Sequence, residues 1–105
     1  MNALRTLWSR IAGRGRPGAV PPMPPEEREI LQSAQTWFGD DALAYMFRDG
    51  DAAVLSVGGE TVAYQVVRAE AGQTVRAGPY EIRVVALEAR DGHDYVRVIV
   101  SAPGG

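Results

Sequence analysis

The chain's single histidine lies among carboxylates, and this cluster is the first candidate for chemistry. The segment Asp91-Gly92-His93-Asp94 combines an imidazole with two carboxylates, a composition suited to a metal ligand set or a general base. A metal site needs two or three further ligands at a suitable spacing, and the sequence offers none. Asp-Gly is also a favoured hairpin turn. We therefore interpret the segment as a polar hairpin tip and expect no metal site.

Asp40 and Asp41 form the second carboxylate pair. Paired carboxylates can divide acid and base roles when their environments differ, but adjacent side chains at the start of a helix point in different directions. We predict instead that Asp40 is a helix N-cap and that Asp41 is stabilised by the helix dipole.

The sequence lacks the motifs of other common catalytic sites. The chain has no cysteine, which excludes thiolate catalysis, thiolate metal sites and disulfides. No serine lies in a G-x-S-x-G elbow, and the glycine-rich segment 13–18 lacks the Gly-Lys-Ser/Thr of a phosphate-binding loop. We predict a protein that is not an enzyme and has no catalytic residue or cofactor.

The composition is that of one small globular domain. The 105 residues are 46% apolar and 23% charged. All eleven basic side chains are arginine, which we interpret as the coding bias of a GC-rich bacterial genome. No apolar run approaches the ~18–20 residues that span a bilayer, and Arg5 and Arg10 interrupt the place of a signal sequence. We expect a cytoplasmic protein.

The first thirteen residues have the pattern of a short amphipathic helix. Apolar residues recur at positions i, i+3, i+4 and i+7, with arginines beside this stripe. The stripe is Leu4, Leu7, Trp8 and Ile11, and the arginines are Arg5 and Arg10. An isolated helix of this length is marginal in water, so its apolar side needs a covering surface. We predict that these six residues bind a partner.

Glycine and proline dominate residues 14–25, which we interpret as a linker between this docking arm and a globular domain at 26–102. The net charge also differs between the segments. Residues 1–25 carry four arginines and no acid, residues 26–49 have a net charge of −4, and residues 50–105 have a net charge of −2. The arm therefore has a partner of its own or folds back on an acidic surface. Residues 103–105 are expected to form a flexible tail.

Residues 26–48 are predicted to form two short helices. Pro25 and three nearby glutamates favour a helix start, and an apolar face runs from Ile30 to Phe38. Gly39 interrupts it, and a second helix is expected from Asp41 to Arg48, ending at Gly50.

From Ala52 onward the apolar period changes to two, which predicts strands. Gly58-Gly59 and Asp91-Gly92 are each predicted to form a two-residue hairpin turn, and a short strand is expected at 73–76. The last two strands carry apolar residues on both faces, which suggests cover from helices or from barrel closure. The fold class predicted is α+β: an N-terminal amphipathic helix, two short helices and a curved antiparallel sheet or barrel of about five strands.

The function predicted is that of a small accessory, adaptor or structural subunit. It docks through the N-terminal helix onto a partner protein or a second copy of itself. The alternative is a small β-barrel protein that binds a membrane surface or nucleic acid. Nucleic acid is the weaker alternative because the strand-forming segment is net acidic.

Overall fold

The structure is a computed structural model that describes residues 21–103, and every regular element in this range is a β-strand. The eight strands are β1 (Met23–Leu31), β2 (Gln35–Phe38), β3 (Asp41–Asp49), β4 (Ala52–Gly59), β5 (Gln65–Glu70), β6 (Thr74–Ala77), β7 (Tyr80–Arg90) and β8 (His93–Ala102).

The strands form two antiparallel sheets of four. The first sheet has the order β1-β8-β7-β6, and the second has the order β2-β3-β4-β5. Within each sheet the neighbours are consecutive in sequence, except that β1 pairs with the last strand, β8. The chain therefore changes sheet twice, between β1 and β2 and between β5 and β6. The buried side chains of both sheets form one shared core.

The two helices predicted for residues 26–48 are wrong, and so is the α+β class. In the described residues the domain is all-β, and that segment contributes β1, β2 and β3. The predicted single sheet or barrel of about five strands is likewise replaced by eight strands in two sheets. The small β domain itself is confirmed.

The alternation of buried and exposed side chains near its end explains why β1 is a strand. Ile30 is buried opposite Val96, whereas Glu27 and Glu29 are exposed on the other side. The prolines that suggested a helix start lie instead at the beginning of an edge strand, beside a bulge between Met23 and Glu26. Edge positions and bulges are where a strand tolerates proline.

The second predicted helix is the central strand β3. Its first five residues alternate strictly, with Leu43 and Tyr45 buried and Ala42 and Ala44 half-buried on the opposite side. A bulge between Tyr45 and Phe47 then breaks the alternation. Because of the bulge, Leu43 and Phe47 lie on opposite faces of the sheet, although their i, i+4 spacing is that of one helical face.

Of the two predicted hairpin turns, one is confirmed. Asp91 and Gly92 join β7 to β8 with φ values of 53° and 79°, the conformation of a type I′ turn. Gly58 and Gly59 instead lie inside β4, and neither is among the positive-φ residues. A Cβ on Gly59 would lie 2.2 Å from the carbonyl oxygen of Asp40. These glycines therefore allow close packing and do not form a turn.

A bulge also explains the second apolar face of the last hairpin. The register shifts between Val84 and Ala86, and this shift pairs Leu87 with the buried Val96. Leu87 thus packs against the core from what would otherwise be the outward position. Neither a covering helix nor barrel closure is needed in the described residues.

We predict that Leu55→Ala lowers the free energy of unfolding by about 2–5 kcal/mol, because Leu55 is fully buried between the sheets. Urea unfolding of the full chain measures this. Thr74→Ala, at an exposed position of β6, is the matched control and should change stability by less than about 0.5 kcal/mol. Equal effects of the two substitutions would contradict a core at Leu55.

Candidate functional site

The six residues predicted to bind a partner lie outside the described residues. Leu4, Leu7, Trp8, Ile11, Arg5 and Arg10 all precede residue 21. The prediction for them therefore stays a prediction. Within residues 21–103, three features can be examined for function: the hairpin tip with the histidine, the carboxylate pair, and the outer faces of the two sheets.

His93 lies exposed at the start of β8, beside the turn that joins β7 and β8. Asp91 occupies the turn itself, with a positive φ. No group of three or more His, Asp or Glu side chains in residues 21–103 is arranged to hold a metal ion. The described residues also contain no helix long and apolar enough to cross a membrane.

The carboxylate pair is divided between two environments. Asp41 is the first residue of β3, only 2% exposed, and it is the one buried charged side chain in the described core. Its Oδ1 accepts hydrogen bonds from the backbone N–H groups of Thr61 (3.0 Å) and Val62 (3.2 Å). Its Oδ2 accepts from the hydroxyl of Thr61 and from the hydroxyl of Tyr80 at 2.7 Å.

These four donors occupy the acceptor positions of the carboxylate. An ionised carboxylate offers about four such positions, so Asp41 has none left for a metal ion or a substrate proton. The donors come from the β4–β5 connection and from β7 in the first sheet, so the cluster connects both sheets. Asp41 is therefore a structural residue, and the predicted helix-dipole role for it is wrong.

Tyr80 is held in its neutral form by the same contacts. Burial raises the pKa of Tyr80 strongly, and the hydrogen bond it donates to Asp41 and the charge of Asp41 raise it further. A tyrosine with a raised pKa is a poor general base or nucleophile near neutral pH. The hydroxyl thus acts as a hydrogen-bond donor to the buried carboxylate.

A cleft of about 290 Å³ opens beside this cluster, where the described chain begins. Pro21, Pro22 and Met23 form one side, and the β2–β3 turn with Tyr80 and Ala102 forms the other. Because the carboxylate of Asp41 is already saturated, the cleft presents little unused polar chemistry. It shows instead where the N-terminal segment meets the sandwich: next to Gly39 and Asp40, at one end of the second sheet.

The outer face of the first sheet is charged and internally paired. Arg97 pairs with Glu88 and lies 3.5 Å from Glu27. Arg90 pairs with Glu29 at 2.6 Å and covers the ring of Tyr95 at 4.2 Å. Such pairs add little stability each, but they keep the face solvated. This surface has no run of unpaired arginines with the character of a nucleic-acid site.

Part of the outer face of the second sheet is apolar, and we call this part the apolar groove. The ion pair of Arg68 with Asp49 lies on the same face, beyond the groove. Small residues of β3 and β4 form its floor, larger residues of β2 and of the β5 side form its two walls, and Phe47 lies at one end. The floor is Ala42, Ala44 and Ser56, and the walls are Trp37 on one side and Val66 on the other. Tyr64 lies over Gly58, where a Cβ would be 2.7 Å from the Tyr64 Cα.

The walls of the groove are exposed and its members are uncharged. Trp37 is 55% exposed, Tyr64 69% and Val66 50%. Single exposed apolar side chains are ordinary, but a contiguous set on one sheet face marks an interaction surface. The groove is therefore the candidate functional site among residues 21–103.

The sequence pattern does not predict this site, because the helical pattern of residues 30–38 puts Trp37 on an inward face. In the structure Trp37 lies on the outer face of β2. A signal that the sequence does contain is the alternation of small and large residues in β3, where Ala42 and Ala44 flank the buried Leu43. Gly58 has another role, since its lack of a side chain lets the backbone of Tyr64 lie over it.

In comparisons with protein families, curated proteins and solved structures, nothing matched the chain.

We predict that Tyr80→Phe lowers the free energy of unfolding by about 1.5–3 kcal/mol, because it removes one of four donors to a buried charge. Urea unfolding at pH 7 measures the change. Tyr64→Phe is the matched control, since Tyr64 is exposed, and it should change stability by less than about 0.5 kcal/mol. A Tyr80→Phe variant as stable as the control would show that the cluster is not structural.

Stability should also fall in alkali. The pKa of Tyr80 is raised in the folded state, and burial likewise raises that of Tyr45, whose hydroxyl has no hydrogen-bond partner in the described part of the chain. Above about pH 10 the unfolded chain binds fewer protons at these tyrosines than the folded one, so stability decreases. The expected contribution of Tyr80 to the slope reaches about 1.4 kcal/mol per pH unit. Unfolding curves between pH 8 and 11 should show a shallower slope for Tyr80→Phe; equal slopes would contradict this assignment.

Proposed function

We propose that this protein is a non-enzymatic accessory or structural subunit that docks onto a partner protein, or onto a second copy of itself, through its N-terminal amphipathic helix. The observation that carries the proposal is a contrast in surfaces. The sandwich has one outer face with a network of ion pairs and one that has an exposed apolar groove beside the ion pair of Arg68 with Asp49. An apolar helical stripe and an apolar sheet face are both stabilised by burial against another surface, which favours assembly.

Two features of the described residues favour binding over catalysis. The buried carboxylate is saturated by four donors, and its neighbouring tyrosine is held neutral. These groups stabilise the fold and are not available for proton transfer. The exposed aromatic side chains Trp37, Phe47 and Tyr64 are of the types enriched in protein interfaces.

The alternative is binding to a membrane surface. Protein docking and membrane binding would depend on different residues of the N-terminal arm. In protein docking, burial of the apolar stripe supplies the binding free energy, at about 1.5–3 kcal/mol for each large side chain. In binding to an anionic membrane the arginines contribute about 1 kcal/mol each and the effect is screened by salt. Substitutions in the stripe and at the arginines should therefore have different consequences.

We predict that Leu7→Asp with Trp8→Asp weakens association of the full chain at least tenfold, whereas Arg5→Gln with Arg10→Gln weakens it less than about threefold. Sedimentation velocity over a concentration series measures self-association, and quantified co-purification from source cells measures partner binding. The arginine variant is the matched control, because it leaves the stripe intact.

The opposite ranking would favour the membrane. There the arginine variant would lose flotation with anionic vesicles, and added salt would abolish flotation of the unmodified chain. If neither variant changes mass, co-purification or flotation, the N-terminal helix is not a docking element and the proposed function fails.

A further inference from the structure

The apolar groove requires an occupant of particular shape and charge. Its floor and walls carry no charged side chain, and the ion pair of Arg68 with Asp49 lies beyond its Phe47 end. The floor residues Ala42, Ala44 and Ser56 are small, so a bulky apolar side chain can approach the sheet there. The strands β2 and β5, which carry the walls Trp37 and Val66, are three strand spacings apart, or about 14 Å. Tyr64 narrows this space where it lies over Gly58. An α-helix with its side chains is about 10–12 Å wide.

The groove also has the length of one short helix. Its floor and end run along β3 from Ala42 to Phe47, about 17 Å of extended strand. A helix over residues 2–12 would be about 16 Å long. The stripe Leu4, Leu7, Trp8 and Ile11 would span about 10 Å of that length, with four apolar side chains on one side.

The same chain can deliver this segment to the groove. Pro21 and Pro22 line the cleft beside Gly39 and Asp40, at the end of the second sheet where Trp37 lies. Nine residues, 12 to 20, separate the stripe from Pro21, and an extended chain of that length reaches about 30 Å. The reach exceeds the width of the sheet, so the arm can turn at its glycines and lie along the groove.

Charge favours the same arrangement. Residues 1–20 carry four arginines and no acid, whereas residues 21–103 carry seven arginines and thirteen acidic residues, a net charge of −6. Asp49, at the Phe47 end of the groove, already pairs with Arg68, so the attraction comes from the net charge of the domain and not from single carboxylates. A helix with arginines beside its apolar stripe can place its apolar residues on the floor while its positive charge faces the acidic domain.

We infer that the apolar groove of the second sheet is the binding surface for residues 4–11 of the same chain. This inference depends on the proposed function in that both use the same apolar stripe. The tether raises the effective concentration of the arm to the millimolar range, which favours the chain's own groove over that of a second copy at ordinary protein concentrations. A partner that binds the stripe must then displace it from the groove.

Disulfide trapping in the full chain tests the contact, because the natural sequence contains no cysteine. The variant Leu7→Cys with Ala44→Cys should form a cross-link under mild oxidation, since a disulfide requires the two Cβ atoms to approach within about 4 Å. The matched control is Leu7→Cys with Thr74→Cys, whose second cysteine lies exposed on the first sheet. We expect at least tenfold faster cross-linking for the groove pair, with the product having the mass of one chain.

A second measurement does not depend on oxidation. With Trp37→Phe, Trp8 is the remaining tryptophan, and its fluorescence should report a buried environment. Adding Ala44→Arg places a charge on the groove floor and should shift the Trp8 emission to the red, whereas adding Thr74→Arg should not. Circular dichroism of each variant checks that the sandwich is retained.

Three outcomes would overturn the inference. A covalent dimer as the main product would assign the groove to a second copy. Equal, slow cross-linking of both cysteine pairs would show that the arm does not contact the groove. Trp8 emission that ignores Ala44→Arg but responds to anionic vesicles would assign the arm to a lipid surface.

The two proposals can fail separately. If the arm cross-links to its own groove but the stripe variant changes no association, the proposed function fails and the contact stands. If the stripe variant loses its partner and no cross-link forms, the proposed function stands and this inference fails.

Discussion

A buried carboxylate requires a complete set of hydrogen-bond donors, and the requirement of Asp41 organises one end of this sandwich. The second sheet supplies the charge, the β4–β5 connection supplies three donors, and Tyr80 on the first sheet supplies the fourth. The N–H groups reach Oδ1 only because β4 passes close to the start of β3. At that crossing the residue is Gly59, where a Cβ would collide with the backbone of Asp40 and Asp41. The pairing of β3 with β4 and the hydrogen bonds of the buried carboxylate therefore both depend on a glycine at position 59.

The distribution of charge between the two outer faces has the most direct bearing on function. Both sheets bury one side, so each must present the other to its surroundings. The first sheet does so with arginine and glutamate in cross-strand pairs, a surface that water solvates well. The second sheet presents a groove of small and aromatic residues, which water solvates poorly. The apolar stripe predicted near the N-terminus would also be poorly solvated. Contact between the stripe and the groove would remove the apolar surface of both from water.

The sequence predicted the β-rich C-terminal half better than the N-terminal half, for physical reasons. The turn at Asp91-Gly92 is a local signal, since its residues themselves favour positive φ. Whether β1 is a strand is decided by pairing with β8, about seventy residues away, which no local window contains. Bulges in β3 and β7 add one residue to a period of two and imitate a helical face or a two-sided strand. The groove could not be found without the registers that bring β2, β3, β4 and β5 side by side.

The strand edges restrict how such a protein can associate. Open edges invite strand addition, but each edge here is interrupted or short. β1 carries Pro24, Pro25 and a bulge; β2 and β6 have four residues each; and β5 carries Arg68, which pairs with Asp49 at 2.9 Å. Arg28 of β1 also covers Phe38 of β2, with its guanidinium 4.7 Å from the centre of the ring. Because the edges are blunted and the first sheet's outer face is charged, the groove is the apolar surface left for docking among the described residues. A helix lying on a sheet face uses that surface without needing a free strand edge, and an amphipathic helix is what the N-terminal sequence predicts.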